Sequence, residues 1–463
     1  MSATLPAPVP AVSLRTLFKL AWPIIISRST QVVIGLGDAL MVSHLGETGL
    51  AATTTGAFNT FAVLILPMGM VFIVSSFASQ LYGSGDAVGA RRYGFYGLGV
   101  AALTQLICTA VIPVLPMLLA PLNYTPEVRT LIYEYLWLRL LSGGAAIGIE
   151  ALANFYGGLG NTRLPMLVNV LAMGLDLVGN WMLIGGHWGA PAMGVAGAAL
   201  SSTLSCWLLF LFFAAVFFRD GRRPENGGRR IPLGLKLSEF RRMMRFGLPS
   251  GFNWFFEFFA FNLFINTVLA GLGTTALAAF MAVMQINSVA FMPAFAISSA
   301  GAILVGQSIG SGRKDDVPPI VRLTWGAAAG WQGLASAAYL AIPTLLLEPF
   351  ANAPTRAGGF LVVGARMLRL SVAWQLFDAT VSALSESLRA AGDTAFTMWS
   401  RIGLAWLFFM PGAWITVRVL GYGDVGAVLW VVLYLGALAG VLWLRFRSNA
   451  WRNIQLVDAA PLP

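Results

Sequence analysis

Charged side chains are scarce in this sequence, since Asp, Glu, Lys and Arg together make up 10% of its 463 residues. Cysteine and histidine are scarcer still, with two of each. Such low numbers argue against the disulfide framework of a small secreted protein and against the Cys/His cluster of a zinc site. Apolar residues instead make up 57% of the chain, and the mean hydropathy of +0.76 is far above that of soluble domains. The composition therefore predicts a protein embedded in a membrane.

Long apolar stretches recur from one end of the chain to the other, and a helix needs about 20 apolar residues to cross a bilayer. This measure predicts an all-α polytopic membrane protein with twelve transmembrane helices. We place them roughly at residues 17–43, 52–80, 93–120, 131–156, 164–186, 192–218, 246–271, 276–308, 320–349, 362–388, 396–419 and 424–446. The first apolar run is preceded by no basic start and no cleavage site, so we expect no removable signal peptide.

Basic residues follow every second predicted helix. The longest polar stretch, 219–245, carries nine Lys and Arg residues, and Arg389 and Arg401 flank the loop after the tenth helix. Because cytoplasmic loops carry an excess of Lys and Arg, the pattern predicts that both termini and the 219–245 loop lie in the cytoplasm. Topology then explains the formal net charge of +10, and we expect no nucleic acid as a partner.

The 219–245 loop separates two halves, residues 1–218 and 246–463, and the halves repeat. Residues 45–85 align with residues 272–312. The aligned pairs of identical residues include Leu45 and Leu272, Gly46 and Gly273, Gln80 and Gln307, and Gly85 and Gly312. Six helices precede the second copy, so both copies enter the membrane in the same direction. We therefore predict two six-helix lobes related by a parallel repeat, a plan that occurs in transporters.

Two carboxylates lie deep in the second half. At 1.5 Å per helical residue, Glu257 is roughly 18 Å past Arg245, and Asp378 is roughly 16–17 Å before Arg389. Two adjacent carboxylates in a medium of low dielectric constant cannot both stay ionised without a counter-cation. The similar depth predicts one shared site for H⁺ or for Na⁺, which prefers oxygen ligands. The competing interpretation is that each carboxylate pairs with an arginine or bonds to backbone.

A second polar group lies in the first half. Asp38 is roughly 28 Å past Lys19 and Asp176 roughly 20 Å past Arg163. Asn180 lies one turn beyond Asp176 on the same face, and Ser202 on the next helix could add a hydroxyl. These residues predict a rival cation site in the first lobe, the alternative being a purely structural polar pair.

Other polar and aromatic residues inside the predicted helices allow several interpretations. Arg28 could neutralise Glu134 or Glu150, and the sequence does not distinguish between them. An adaptable apolar wall for aromatic ligands could come from four side chains, although core or lipid packing explains each of them at least as well. These four are Trp254, Phe255, Met284 and Trp374. Gln285 could line the same substrate cavity, and a hydrogen bond between packed helices explains it equally well.

Four groups of short motifs occur in the first, seventh and tenth predicted helices and in the loop after the fourth. They are Trp22-Pro23 with Asp38 and Met41-Val42, Gly158-Leu159-Gly160-Asn161-Thr162 with Pro165, Gly247-Leu248-Pro249 with Phe255-Phe256-Glu257, and Gln375 to Asp378 with Leu388-Arg389. In combination they resemble the multidrug and toxic compound extrusion (MATE) family, especially its NorM-like branch. The likeness covers nearly the whole chain.

The resemblance implies a two-lobed exporter of cationic, amphipathic compounds, coupled to inward Na⁺ or H⁺. It implies a bacterial inner-membrane location, a monomer, and no cofactor beyond the coupling ion. Glu257 and Asp378 match the family's C-lobe cation site, and Asp38 matches its N-lobe aspartate, with Asp176, Asn180 and Ser202 on that lobe's polar cluster. Two positions differ from the family pattern. Asp176 precedes Asn180 where the family commonly has the reverse order, and Trp374 replaces an aromatic hydroxyl.

Two other functions compete with export of cations. A lipid-linked precursor flippase of the related exporter superfamily would share the helical plan, but it would usually have a more cationic cavity. Here the mid-membrane charges are mostly acidic, with Arg28 as the exception. A membrane-embedded enzyme is the second competitor, and the chain has no HExxH motif and no paired catalytic histidines. We therefore expect a transporter rather than an enzyme.

Overall fold

The computed structural model describes residues 12–121, 124–221, 234–351 and 359–457. In these ranges all regular structure is helical. Nine apolar stretches are long enough to cross a membrane, or eleven when each of two bent helix pairs counts as one crossing. One of them, Leu14–Gly83, has 70 residues, about three times the length that one crossing needs, and a short 3₁₀ turn at Ser43–Leu45 divides it. The described chain therefore has twelve spans, which confirms the predicted all-α fold.

The twelve helices follow the apolar stretches of the sequence closely, and we number them in chain order. They are α1 Leu14–Val42, α2 Gly46–Val71 with Ile73–Gly83, α3 Ala87–Leu119, α4 Pro126–Leu140 with Gly143–Gly158, α5 Arg163–Gly185, α6 Gly194–Asp220, α7 Leu237–Leu272, α8 Thr274–Gly310, α9 Lys314–Ala341 with Pro343–Phe350, α10 Phe360–Ala391, α11 Thr394–Val419 and α12 Gly423–Arg447.

The helices form two compact units. The N-terminal unit is Ile26–Gly251, and the C-terminal unit combines residues 12–25 with the chain from Phe252 onward. The division falls inside α1 and α7, so the first turns of α1 belong to the second unit. Leu17 and Ala21 are fully buried there, in one core cluster with Phe264 and other residues of the C-terminal unit. The predicted 219–245 loop is too long at both ends, because α6 continues to Asp220 and α7 already begins at Leu237. Residues 222–233 of this loop lie outside the described ranges.

The predicted repeat reappears in the turns between helices. Three glycines of the first copy adopt the left-handed conformation, which costs glycine little, and their three counterparts do the same. The pairs are Gly46 and Gly273 (φ +85° and +96°), Gly85 and Gly312 (+84° and +79°), and Gly160 and Gly392 (+83° and +92°). The hydrogen bonds of the turns match as well, since the amides of Asp86 and Arg313 each donate to the carbonyl five residues earlier at 2.9 Å.

Several spans depart from straight α-helix, among them α4, α9 and α11. Helix α9 bends by 96° just before Pro343, which can donate no backbone hydrogen bond, and α4 bends by 47°. Helix α11 contains two π-helical segments, Leu404–Phe409 and Ile415–Val419. Segments of this kind occur mostly as local bulges at functional sites. In α11 they follow directly after Arg401, which contributes to the site described below.

Candidate cation and substrate sites

In the N-terminal unit, the predicted polar residues of α5 lie on one buried face. Asp176 and Asn180 are one turn apart, with 3% and 0% of their surface exposed. The Asn180 side-chain amide donates to Asp176 Oδ2 at 3.2 Å and to Asp38 Oδ1 of α1 at 2.6 Å. One amide group therefore holds oxygens of two carboxylates. The structure brings together three of the four residues of the predicted N-lobe site through direct hydrogen bonds.

Glycines allow these short side chains to meet. A Cβ atom on Gly37 of α1 would lie 2.4 Å from Leu177 of α5, and one on Gly179 of α5 would lie 2.3 Å from the Ser201 hydroxyl of α6. Helices α5 and α6 therefore pack closely at Gly179, as small residues permit in membrane proteins, and Gly37 leaves room on α1 for the Leu177 side chain. Asp and Asn side chains are short, so Asp38 and Asn180 meet only where α1 lies next to α5.

Two oxygen atoms in this cluster stay without a hydrogen-bond donor. Asp176 Oδ1 and Asn180 Oδ1 are buried, and the described part of the chain offers no donor to either of them. A buried polar atom without a partner costs about 1–3 kcal/mol, so such atoms call for an explanation. Both are hard oxygen ligands of the kind that alkali cations accept, and the carboxylate oxygen can also accept a proton.

Two further residues complete the surroundings of the cluster. The Ser202 hydroxyl is close to the Asp176 carboxylate, while the neighbouring Ser201 donates to the Asp176 backbone carbonyl at 2.9 Å. Arg139 of α4 acts electrostatically on both Asp38 and Asp176. Arg139 was not among the predicted site residues, although a single arginine within the apolar stretch LWLRLL indicates an intramembrane charge of possible functional importance. Two carboxylates and one guanidinium leave one negative charge uncompensated.

In the C-terminal unit, Glu257 of α7 forms an ion pair with Arg401 of α11. The Tyr434 hydroxyl of α12 donates to the other carboxylate oxygen at 3.4 Å, and Arg401 also donates to the Ser385 hydroxyl at 3.3 Å. Arg401 was predicted to flank a loop, whereas it lies seven residues inside α11 and is largely buried. Pairing with an arginine was the competing interpretation of Glu257, and it describes this geometry.

Asp378 of α10 has a different partner. It accepts a hydrogen bond of 2.7 Å from the Gln332 amide of α9, and Glu257 and Arg401 both act on it electrostatically. Gln332 Oε1 is buried and has no donor among the described residues. The two predicted C-lobe carboxylates are thus electrostatic neighbours, but each has its own protein partner. Neither Gln332 nor Tyr434 was identified from the sequence.

The five predicted residues of the substrate wall occupy different environments within the C-terminal unit. Trp374 is buried in the core cluster, and Gln285 is exposed. Met284, Trp254 and Phe255 are half-buried, with Trp254 packed edge-to-face on Phe295. Trp374 therefore takes part in core packing here, and a substrate wall remains a prediction for the other four.

The structure selects one of two possible partners for Arg28. Its guanidinium donates to Glu150 at 2.7 Å and lies 5.5 Å from the Phe72 ring centroid. The side chains of Arg28 and Glu150 are 17% and 11% exposed, so this is a largely buried ion pair inside the N-terminal unit. A compensated pair of this kind adds no charge for a mobile cation to neutralise.

Comparisons with known proteins agree with this architecture. The MatE family model matches residues 23–182 and 249–415. A protein of Pseudomonas putida named "Probable multidrug resistance protein NorM" is 28% identical over 97% of both chains, and one of Thermotoga maritima with the same name is 26% identical over 95% of this chain and 93% of the other. The solved structure of a MATE protein in complex with MaL6 superimposes with a TM-score of 0.86 at 20% identity, covering 95% of this chain and 97% of the other.

Proposed function

Because the chain belongs to the MatE family, we propose that it is a secondary antiporter that exports cationic, amphipathic compounds in exchange for inward H⁺ or Na⁺. It is a multi-pass membrane transporter, which we assign to the bacterial inner membrane as a monomer with both termini in the cytoplasm. The relatives named for multidrug resistance support this substrate class. The acidic residues inside the spans support it too, since they favour cationic cargo over anionic cargo.

The observation that carries the proposal is the pair of carboxylates bound to the Asn180 amide. Asp38 and Asp176 are too close to stay ionised together, and Arg139 compensates only one of the two charges. One H⁺ or one Na⁺ would neutralise the remaining negative charge. The donor-free oxygens of Asp176 and Asn180 are suitable ligands for it, with Ser202 beside them.

Coupling follows from differential binding. A cation that binds better in one conformation shifts the population toward that conformation by its difference in affinity. A monovalent cation moving inward through −100 mV contributes about 2.3 kcal/mol to this cycle. Closing the Asp38–Asp176–Asn180 cluster around the cation requires α1 to stay near α5. We therefore propose that α1 moves when the cation binds or leaves, and that this movement couples cation binding to transport.

The C-terminal unit has a secondary part in this proposal. The Arg401 guanidinium already neutralises Glu257, so Glu257 can bind a mobile cation only after this ion pair opens. Asp378, which bonds to a neutral amide, is the more available carboxylate of the two. Trp254, Phe255, Met284 and Gln285 would offer aromatic, thioether and amide contacts to a flat cationic compound.

Purified protein in lipid vesicles tests the proposal. Ethidium transport is followed by fluorescence while a Na⁺ gradient and a pH gradient are imposed separately at zero membrane potential. We expect one of the two gradients to drive ethidium against its concentration difference, and this result identifies the coupling ion. Transport that only dissipates the ethidium gradient, under either condition, would contradict the antiport mechanism.

A further inference from the structure

A large cavity opens within the C-terminal unit, and none of its lining residues belongs to the candidate sites. It has a volume of about 940 Å³ and lies between the start of α1, the middle of α8 and the first half of α9. Its lining is apolar with a single exception, Arg322. The volume is that of a typical ligand pocket, which is about 300–1,000 Å³.

The cavity runs along the helix axis. On α9 its lining extends from Pro319 to Leu334, fifteen residues or roughly 22 Å of helix. This length exceeds one leaflet of the bilayer core, which is about 15 Å thick, half of the total of about 30 Å. Pro319 and Arg322 lie two and five residues after the start of the α-helix at Val317 and therefore mark the end of the cavity near the membrane surface. The shape is that of a groove for one acyl chain that begins at the headgroup level.

The surface end of this groove is basic. Leu14 and Phe18 of α1 line it, and the residues that follow them, Arg15 and Lys19, are exposed. Arg322 is exposed as well. Within the described ranges, none of these three cations forms an ion pair with a carboxylate. Three uncompensated positive charges at one end of an apolar groove complement an amphipathic anion, and they disfavour the cationic compounds that we propose as exported substrates.

Glycines on α9 keep the groove open. Gly326 and Gly330 line it one turn apart, and a Cβ atom placed on either would meet no atom within 4 Å. Trp331 lines the deeper part of the groove, where its indole N–H is bonded to the Ala290 carbonyl at 3.0 Å. The indole is therefore satisfied and presents only apolar surface to an occupant of the groove.

We propose that this groove binds one anionic phospholipid, with its phosphate at Arg322, Arg15 and Lys19 and one acyl chain along Gly326 and Gly330 toward Leu334. Juxtamembrane basic residues attract anionic lipids, and each contributes a measurable part of the affinity. None of the groove's lining residues belongs to the cation clusters or to the proposed substrate wall. The groove is therefore a lipid site in its own right rather than a part of the efflux mechanism.

Native mass spectrometry of the full chain, released from nanodiscs with equal amounts of phosphatidylglycerol and phosphatidylcholine, tests this inference. We expect the protein to retain phosphatidylglycerol preferentially. Arg322→Gln should lower this preference about fivefold, the factor that one basic contact with an anionic lipid supplies. The control is Arg369→Gln, which removes another exposed arginine of the C-terminal unit and should retain the preference.

A second pair of variants tests the acyl part of the groove. Gly330→Leu places a side chain where the chain would lie, so retention of phosphatidylglycerol should fall although all three cations remain. Gly440→Leu of α12 is the control, because its Cβ also enters open space but outside the groove. Equal retention of the two lipids by the unmodified protein would overturn the proposal. Displacement of the lipid by soluble glycerol phosphate would do so too, since it would indicate a site for the anion alone.

Discussion

The candidate cluster of each unit contains two carboxylates and one guanidinium, but the two clusters arrange them differently. Asp38 and Asp176 of the N-terminal unit share one amide donor, and Arg139 acts on them without an ion pair among the described contacts. In the C-terminal unit, Glu257 is paired directly with Arg401. Each cluster therefore has two carboxylates and one guanidinium, but only the N-terminal one leaves both acids without a directly bound cation. A mobile cation can act there without first displacing an arginine.

Side-chain length explains why the clusters differ. The N-terminal cluster uses Asp and Asn, which are short and reach each other only where α1 and α5 lie side by side. The C-terminal cluster uses long side chains from several helices, namely Glu257, Arg401, Gln332 and Tyr434. Long side chains can change partners with little helix movement, whereas short ones separate as soon as their helices move apart. This difference makes the N-terminal cluster the better sensor of conformation.

Removing one acid from each cluster should give the largest difference between them. Asp38→Asn leaves Asp176 and Arg139 with no net charge, so a cation has nothing to neutralise, and ion-driven ethidium transport should fall to the level of empty vesicles. Exchanging Glu257 and Arg401 together for Gln removes a compensated pair, and ion-driven transport should persist. Vesicle fluorescence under the productive gradient measures both.

The control for charge removal is Asp315→Asn, a substitution of the same type at a side chain that is 93% exposed. Asp315→Asn should transport ethidium at the same rate as the unmodified protein. If Asp38→Asn retains ion-driven transport, the N-terminal cluster is not the coupling site. If the double variant loses transport completely while Asp38→Asn keeps it, the roles of the two clusters are reversed.

The sequence was sufficient to predict the architecture. Apolar runs of known length, basic residues after every second helix and the glycines at equivalent turns determine the twelve spans and the repeat. The membership of the N-terminal cluster was also predictable, because Asp176 and Asn180 have helical spacing and residue counting places Asp38 in the outer half of the membrane. These inferences need only positions along helices.

The charge partners were harder to predict because they depend on how helices rotate and pack. Arg401 and Glu257 are 144 residues apart, and nothing in the local sequence indicates that their side chains point toward each other. Counting depth would have shown that Arg401 is roughly 10 Å inside α11, which makes it an intramembrane arginine rather than a loop residue. Its partner could still not have been named, and the same holds for Arg139.

Breaking the C-terminal ion pair from one side should have the next largest effect. Arg401→Gln leaves Glu257 as a largely buried carboxylate without its cation, which costs about 3–5 kcal/mol of folding stability in comparable pairs. The thermal unfolding midpoint in detergent should therefore fall. Adding Glu257→Gln should restore most of it, because the uncompensated charge is then removed. In the single variant, Na⁺ or an acidic buffer should recover part of the loss.

The matched control is Arg366→Gln, which breaks the exposed ion pair with Asp424 in the same unit. Since the Arg366 side chain is 49% exposed, this pair should contribute less than about 1 kcal/mol, and the midpoint should hardly change. Equal shifts for Arg401→Gln and Arg366→Gln would show that Glu257 does not depend on its arginine. The two units would then be more alike than their geometry indicates.

A smaller effect should come from the helix contacts that bring the short side chains together. Gly179→Ala places a Cβ 2.3 Å from the Ser201 hydroxyl, which is itself bonded to the Asp176 carbonyl, so α5 and α6 must move apart. Overpacking of this kind costs about 1–3 kcal/mol. Gly174→Ala on the same helix meets no atom within 4 Å and should be neutral or stabilising by roughly 0.5–1 kcal/mol. We expect Gly179→Ala alone to reduce both the unfolding midpoint and ion-driven transport. If Gly179→Ala and Gly174→Ala have equal stability and activity, close packing of α5 against α6 does not position the carboxylates.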